Sequence, residues 1–196
     1  MRRILAISSI GNQPHNLHGK YIPGSGVGAS SVATRRLKTQ KAAQCYPQPP
    51  VVDISLSNIA TFNGAFGRYE ITSNTTITYL QHLVIQSGEV LYIAPGITLT
   101  NKGFVDNYGF ISNIGQPSNS TTIININTFN NYGTIYIEPT SKMYTYNGGS
   151  VYNDTTGTIT NAGIFSVALS SGSSCGTGFF TGKPISGNPL VNQCPP

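Results

Sequence analysis

Tryptophan is absent and only 9% of the residues are charged, which is not the profile of a charged, helix-rich enzyme. No apolar run approaches the roughly 18 residues that a membrane-spanning helix needs, so the sequence offers no such span. Acids are scarce: Asp53, Glu70, Glu89, Asp106, Glu138 and Asp154 are all there are, and they are dispersed. Polysaccharide-cleaving chemistry needs two carboxylates, or a carboxylate and a basic partner, held a few ångströms apart. Only Asp106 and Asp154, each beside an Asn-rich corner, suggest an alignment across a fold, and both read more simply as corner residues. A nucleophilic triad lacks parts, because His82 is the one histidine beyond residue 18 and has no local partner. The expectation is a chain without catalytic, metal or cofactor residues and without a small-molecule substrate.

The first 41 residues lack acids altogether. They carry Arg2, Arg3, Lys20, Arg35, Arg36, Lys38 and Lys41, a charge of +7. The remainder sets Arg68, Lys102, Lys142 and Lys183 against the six acids, a charge of −2. The chain therefore reads as a basic arm on a nearly neutral body.

Within the arm, MRRILAISSI starts like a secretion signal, but its apolar part is short and no small-residue cleavage site follows. Ile4, Leu5, Ile7 and Ile10 suit docking on a neighbour. His15 and His18 have a helical metal-ligand spacing, yet Pro14 and Gly19 argue against a helix there. Gly24, Gly26 and Gly28 follow Pro23 rather than a strand and precede no Gly-Lys-Ser/Thr, so they read as a connector rather than a phosphate loop. Ser30 or Ser31 caps a predicted basic helix through VATRRLKTQKAA. Pro47, Pro49 and Pro50 then impose an extended linker.

What the chain has in plenty is asparagine followed two residues later by glycine. Asn101, Asn107 and Asn113 recur every six residues, with Gly103, Gly109 and Gly115 after them, and the pair returns at Asn131, Asn147 and Asn161. Asn and Gly tolerate the left-handed backbone of a sharp corner, and β-branched or aromatic residues suit the strand that follows. The expected architecture is an all-β, irregular β-solenoid of the parallel β-helix kind, with three six-residue units to a coil and about five coils. Asparagines would stack as side-chain ladders at a corner, and Val, Ile and Leu would fill the lumen. An antiparallel β-sandwich with Asn-Gly hairpins is the rival reading. TTITYLQHLVI and EVLYIAPGITLT are the strongest strand signals, with turns at Asn63-Gly64 and Pro95-Gly96.

The expected organisation is an arm over 1–50, a body over 51–170 and a C-terminal cap or tail over 171–196. Cys175 and Cys194 are a candidate disulfide. An arm-to-tail or intermolecular bond through Cys45, or free thiols, are the alternatives. Asn74, Asn119 and Asn153 head glycosylation sequons, which matter only in a secreted chain. Tyr69, Tyr79, Tyr92, Tyr108, Tyr132, Tyr136, Tyr144, Tyr146 and Tyr152 offer either a stacking surface for sugars or simply good strand formers.

The string RRILAISSIGNQPHNLHGKYIPGSGVGASSVATRRLK, and GSGVGASSVATRR at residues 24–36 above all, resembles the Gly-Ser-rich, then Arg/Lys-rich starts of minor capsid proteins from large icosahedral DNA viruses of the chlorella-virus kind. It covers about a fifth of the chain. The resemblance implies a non-enzymatic cement protein of a virion shell, made in the host cytoplasm. Its arm would contact the major capsid protein and other minor capsid proteins, or a polyanion. A carbohydrate-binding host-attachment module is the alternative.

Overall fold

In the computed structural model, residues 49–169 and 172–188 are described. Arg2, Arg3, Lys20, Arg35, Arg36, Lys38, Lys41, Cys194 and the expected basic helix all lie outside them. The body is an all-β solenoid of about five turns. Its sheets are stacked from parallel strands, which excludes the antiparallel sandwich.

The chain enters through β1 (Val52–Ile54), a 3-10 turn (Leu56–Asn58) and a hairpin of β2 (Thr61–Asn63) and β3 (Arg68–Ile71). Five coils follow, each contributing one strand to each of three sheets. The first holds β4 (Thr75–Ile77), β5 (Gln81–Ile85) and β6 (Val90–Ile93). The second holds β7 (Thr98–Asn101), β8 (Phe104–Asn107) and β9 (Phe110–Asn113), and the third β10 (Thr122–Asn125), β11 (Thr128–Asn131) and β12 (Thr134–Ile137). The fourth holds β13 (Lys142–Thr145), β14 (Ser150–Asn153) and β15 (Thr158–Asn161); the fifth holds β16 (Ile164–Val167), β17 (Ser173–Gly176) and β18 (Phe179–Gly182), with β19 (Ser186–Gly187) closing on β16. Face A is the sheet β1-β5-β8-β11-β14-β17, face B runs from β2 to β18, and face C from β4 to β19. At about 4.8 Å per strand, five coils rise roughly 25 Å.

A four-residue strand such as TLTN or TFNN explains why this sequence winds. Its first and third side chains point outward, its second enters the lumen and its fourth turns in at the corner. The second positions stack into columns of buried apolar residues: Leu83, Val105, Phe129 and Val151 on face A; Leu91, Ile111, Ile135 and Ile159 on face B; Leu99, Ile123, Met143 and Phe165 on face C. Leu56, fully buried, plugs the first end. Where Phe165 enlarges the last coil, the small Ser174 stands in the face A column, so volume is balanced across the lumen.

The fourth positions are the asparagine ladders. Asn107 donates to Asn131 at 2.7 Å and Asn131 to Asn153 at 2.8 Å. At another corner Asn101 donates to Asn125 at 2.8 Å. All five are fully buried, and each spare N–H reaches a backbone carbonyl of the next coil, as from Asn131 to Thr158 O.

Three sequence expectations need correction. Six residues separate the corners within one coil and do not make eighteen-residue coils. Asn131 stacks on Asn107, 24 residues earlier, because the Ile114–Thr121 loop lengthens the coil. The glycine two residues after a ladder asparagine is not there for a left-handed backbone: Gly103, Gly109 and Gly133 lie outside that region. A Cβ on Gly133 would instead collide with the backbone carbonyl of Gly109 in the coil beneath. Asn147 is the one true turn residue of the set, with φ 54°, and it sits in the connection between β13 and β14. Nor does the solenoid stop at 170, since β17, β18 and β19 pair onto β14, β15 and β16. In that last coil the face A and face B corners are Gly176 and Gly182, and Gly187 of β19 stacks on the face C corner Val167; all three glycines have positive φ. Asn188 then folds across, its amide donating to the carbonyls of Ala168 and Gly172.

Candidate functional site

Face A gathers the body's chemistry. Its outward side chains form two columns, one running Asp53, His82, Phe104, Thr128 and the other Val84, Asp106, Asn130, Tyr152. His82 sits between carboxylates from two neighbouring strands: Nδ1 is 3.0 Å from Asp53 Oδ1 and Nε2 is 3.1 Å from Asp106 Oδ2. Asp106 is steadied from the far side by Asn130, whose amide donates to Oδ1 at 2.8 Å. Phe104 meets the imidazole edge-on at 6.3 Å. The histidine that lacks a partner in the sequence has two in the fold.

The three residues are 29 and 24 apart in the chain, and only strand register unites them. The sequence signals one register of this face, that of β8 on β11: Asp106-Asn107-Tyr108-Gly109 returns 24 residues later as Asn130-Asn131-Tyr132-Gly133. It does not carry back to β5, where the offset is 22: His82 pairs with Phe104 and Val84 with Asp106, so Asp106 reaches the imidazole diagonally.

Chemically, the arrangement commits its carboxylates to one imidazole. A shallow cleft of about 310 Å³ lies beside Asp53, lined also by Ile54, Ser55, Asn58, Val84 and Gln86. Asp53 is its one ionisable lining group, so the cleft holds no acid–base pair of its own. Asp106 and Asp154 are not brought together. Asp154 lies past β14, two coils beyond β8, and accepts a 3.0 Å bond from the Tyr152 hydroxyl. That bond holds the Asp154 carboxyl below its usual range and pushes the Tyr152 phenol up. Among the described residues no cluster of three His, Cys, Asp or Glu side chains is set to hold a metal.

The tyrosines divide. Tyr108 and Tyr132 stack on each other, centroids 4.7 Å apart and planes 7° from parallel, and Tyr152 meets Tyr132 edge-on at 6.4 Å. Burial, then the neighbouring Asp106, raises the Tyr132 phenol above its ordinary value. On face B, Arg68 lies 3.8 Å over Tyr92 and 4.7 Å over Phe66 while its Nε bonds Glu70 at 2.7 Å, which lowers the Glu70 carboxyl. Tyr69 packs on Phe62. These rings spend their faces on neighbours within the protein.

Cys175 is buried and disulfide-bonded, with its partner outside the described residues. Of the sequon asparagines, Asn74 and Asn119 are exposed, but Asn153 is a fully buried ladder rung with no room for a glycan. No helix among the described residues is long and apolar enough to cross a membrane. Set against known proteins, the chain matches no family model, no curated protein and no solved structure.

Proposed function

We propose that this chain is a non-enzymatic structural protein of a virion shell, a minor capsid or cement protein whose arm, residues 1–50, bridges capsomers while the solenoid forms a rigid body among them. The observation that carries the reading is the division between the two parts. Seven cations and no acid precede residue 42, whereas the body turns its own polar groups inward and sideways, amide to amide and carboxylate to imidazole. A segment rich in Gly, Pro and cations gains order by wrapping a partner. A solenoid whose ladder amides between faces A and B are already paired with one another suits a spacer. The resemblance of residues 24–36 to minor capsid proteins agrees with this. Arg2, Arg3, Lys20, Arg35, Arg36, Lys38 and Lys41 would meet the acidic surfaces of the major capsid protein, other minor capsid proteins or a polyanion. Binding of that kind weakens steeply with salt.

Deleting residues 1–50 tests the reading. The expected product is a folded body that no longer enters particles, and in the full-length protein Lys20, Lys38 and Lys41 cross-link to the dominant shell protein. Normal incorporation of the deletion variant would sink it. A second reading, a carbohydrate-binding attachment module, is favoured by Tyr79, which is 61% exposed, and by Tyr136, Tyr144 and Tyr146, which enter none of the ring stacks described above. It requires glycan binding that alanine at Tyr144 and Tyr146 abolishes.

A further inference from the structure

We infer that His82 is a charge-operated clasp on β1, fastening this strand to the solenoid while the imidazole is protonated at both nitrogens and loosening it once the ring is neutral. The inference stands apart from the function proposed above. Its ground is donor arithmetic. A carboxylate only accepts hydrogen bonds, and His82 faces one with each ring nitrogen, at 3.0 and 3.1 Å. The imidazolium has two N–H donors and satisfies both; the neutral ring has one and must present a lone pair to the other carboxylate. Asp106 is held independently by Asn130 and is largely sheltered, its side chain 19% exposed, whereas that of Asp53 is 81% exposed. The neutral ring therefore keeps Asp106 and lets Asp53 go.

Among the described residues few other contacts retain β1, the packing of Ile54 against the core being one. It is the edge strand of face A, three residues long, with Val52 and Asp53 exposed. Its backbone is tied to the body through pairing with β5 and the 2.7 Å bond from Val52 N–H to Leu80 O. The next firm anchor is Leu56, buried in the lumen. Asp53 from β1 and Asp106 from β8 are the ionisable groups that face the ring. β4 and the Leu56–Asn58 turn, the other elements against β5, carry none.

The test is amide hydrogen exchange on the full-length protein, expressed as protection factors so that intrinsic pH effects cancel. It is run at about pH 5.5 and pH 8, a range in which ordinary carboxylates stay ionised and histidine changes charge. Protection of Val52 and Ile54, whose N–H groups point to β5, should fall about tenfold from the lower to the higher pH, the order expected for losing one charge-assisted bond, while β14 amides hold constant. The chain has two further histidines, His15 and His18, so the decisive comparison is His82→Gln, in which β1 protection should no longer depend on pH. Asp53→Asn, at an exposed position, should lose the dependence too and covers the case in which the Gln variant fails to fold. A wild-type β1 whose protection is flat with pH overturns the clasp. So does a pH dependence that survives in either variant.

Discussion

Two corners of the same solenoid solve one problem in different ways. Between faces A and B the buried corner positions run Ile85, Asn107, Asn131, Asn153, Gly176, an unbroken amide ladder through three coils. After face B they run Ile93, Asn113, Ile137, Asn161, amide and aliphatic by turns. The first corner satisfies both ends of every inner amide. The second leaves the carbonyl oxygens of Asn113 and Asn161 buried without a hydrogen-bond partner, although both amide nitrogens reach backbone, at Lys142 O and Lys183 O. Asparagine in a dry lumen is therefore valuable in pairs and costly alone: an orphaned buried acceptor forfeits about 1–3 kcal/mol.

The largest effect should come from breaking the continuous ladder in its middle. Asn131→Leu removes the bonds to Asn107 and Asn153 and strands both, so a loss of about 3–5 kcal/mol in urea unfolding is expected. Asn113→Leu extends an aliphatic column and should cost no more than about 1 kcal/mol; equal losses at 131 and 113 would dissolve the contrast between the corners. Gly133→Ala, which drives a methyl into the Gly109 carbonyl, should cost about 2–3 kcal/mol.

Ile137→Asn sharpens the comparison from the other side. A polar residue placed in an apolar interior without partners costs several kcal/mol. Here the introduced amide would lie between two asparagines, donating to one orphaned carbonyl oxygen and accepting from the neighbouring rung, and stability within about 1 kcal/mol of wild type is expected. A drop of about 3 kcal/mol or more, by the same principle of unsatisfied burial, would refute the pairing rule.

Smaller still is the outer face. Tyr132→Leu loses the stacked pair with Tyr108 and should cost about 1 kcal/mol. The smallest effect is set by pH: Glu70 and Asp154 have carboxyls lowered in the fold. Their stabilisation is present above the ordinary carboxylate range and is lost as pH falls through their lowered folded-state values. Acid titrations of Glu70→Gln should show a flatter acid limb than wild type.

The fold was legible because its period writes itself into residue types that have few other uses: asparagine at buried corners and glycine where coils touch. The coil length was harder. The six-residue spacing from Asn101 to Asn113 reports the three sides of one turn of the chain, and nothing local to it reveals the Ile114–Thr121 loop that must be added. The reason assigned to the glycines also misled, since steric contact between coils leaves the same residue type as a positive φ. Asn147-Gly148 is the one place where the turn explanation holds. The Asp53–His82–Asp106 group stayed hidden for the same cause as the coil length. Its members share no local pattern, and His82 looks like one more polar residue in an apolar run, because the 24-residue return of Asn-Tyr-Gly does not extend to β5, which stacks on β8 at an offset of 22.

The glycines at 176 and 182 carry a last consequence. A coil that ends in asparagine is a template, presenting a row of amides onto which an identical coil can be copied, whether from the same chain or another. By setting glycine at the face A and face B corners of the fifth coil, Gly176 above Asn153 and Gly182 above Asn161, the sequence erases the template at those two corners. Fibre growth from this end is thus denied its amide rungs at those two corners.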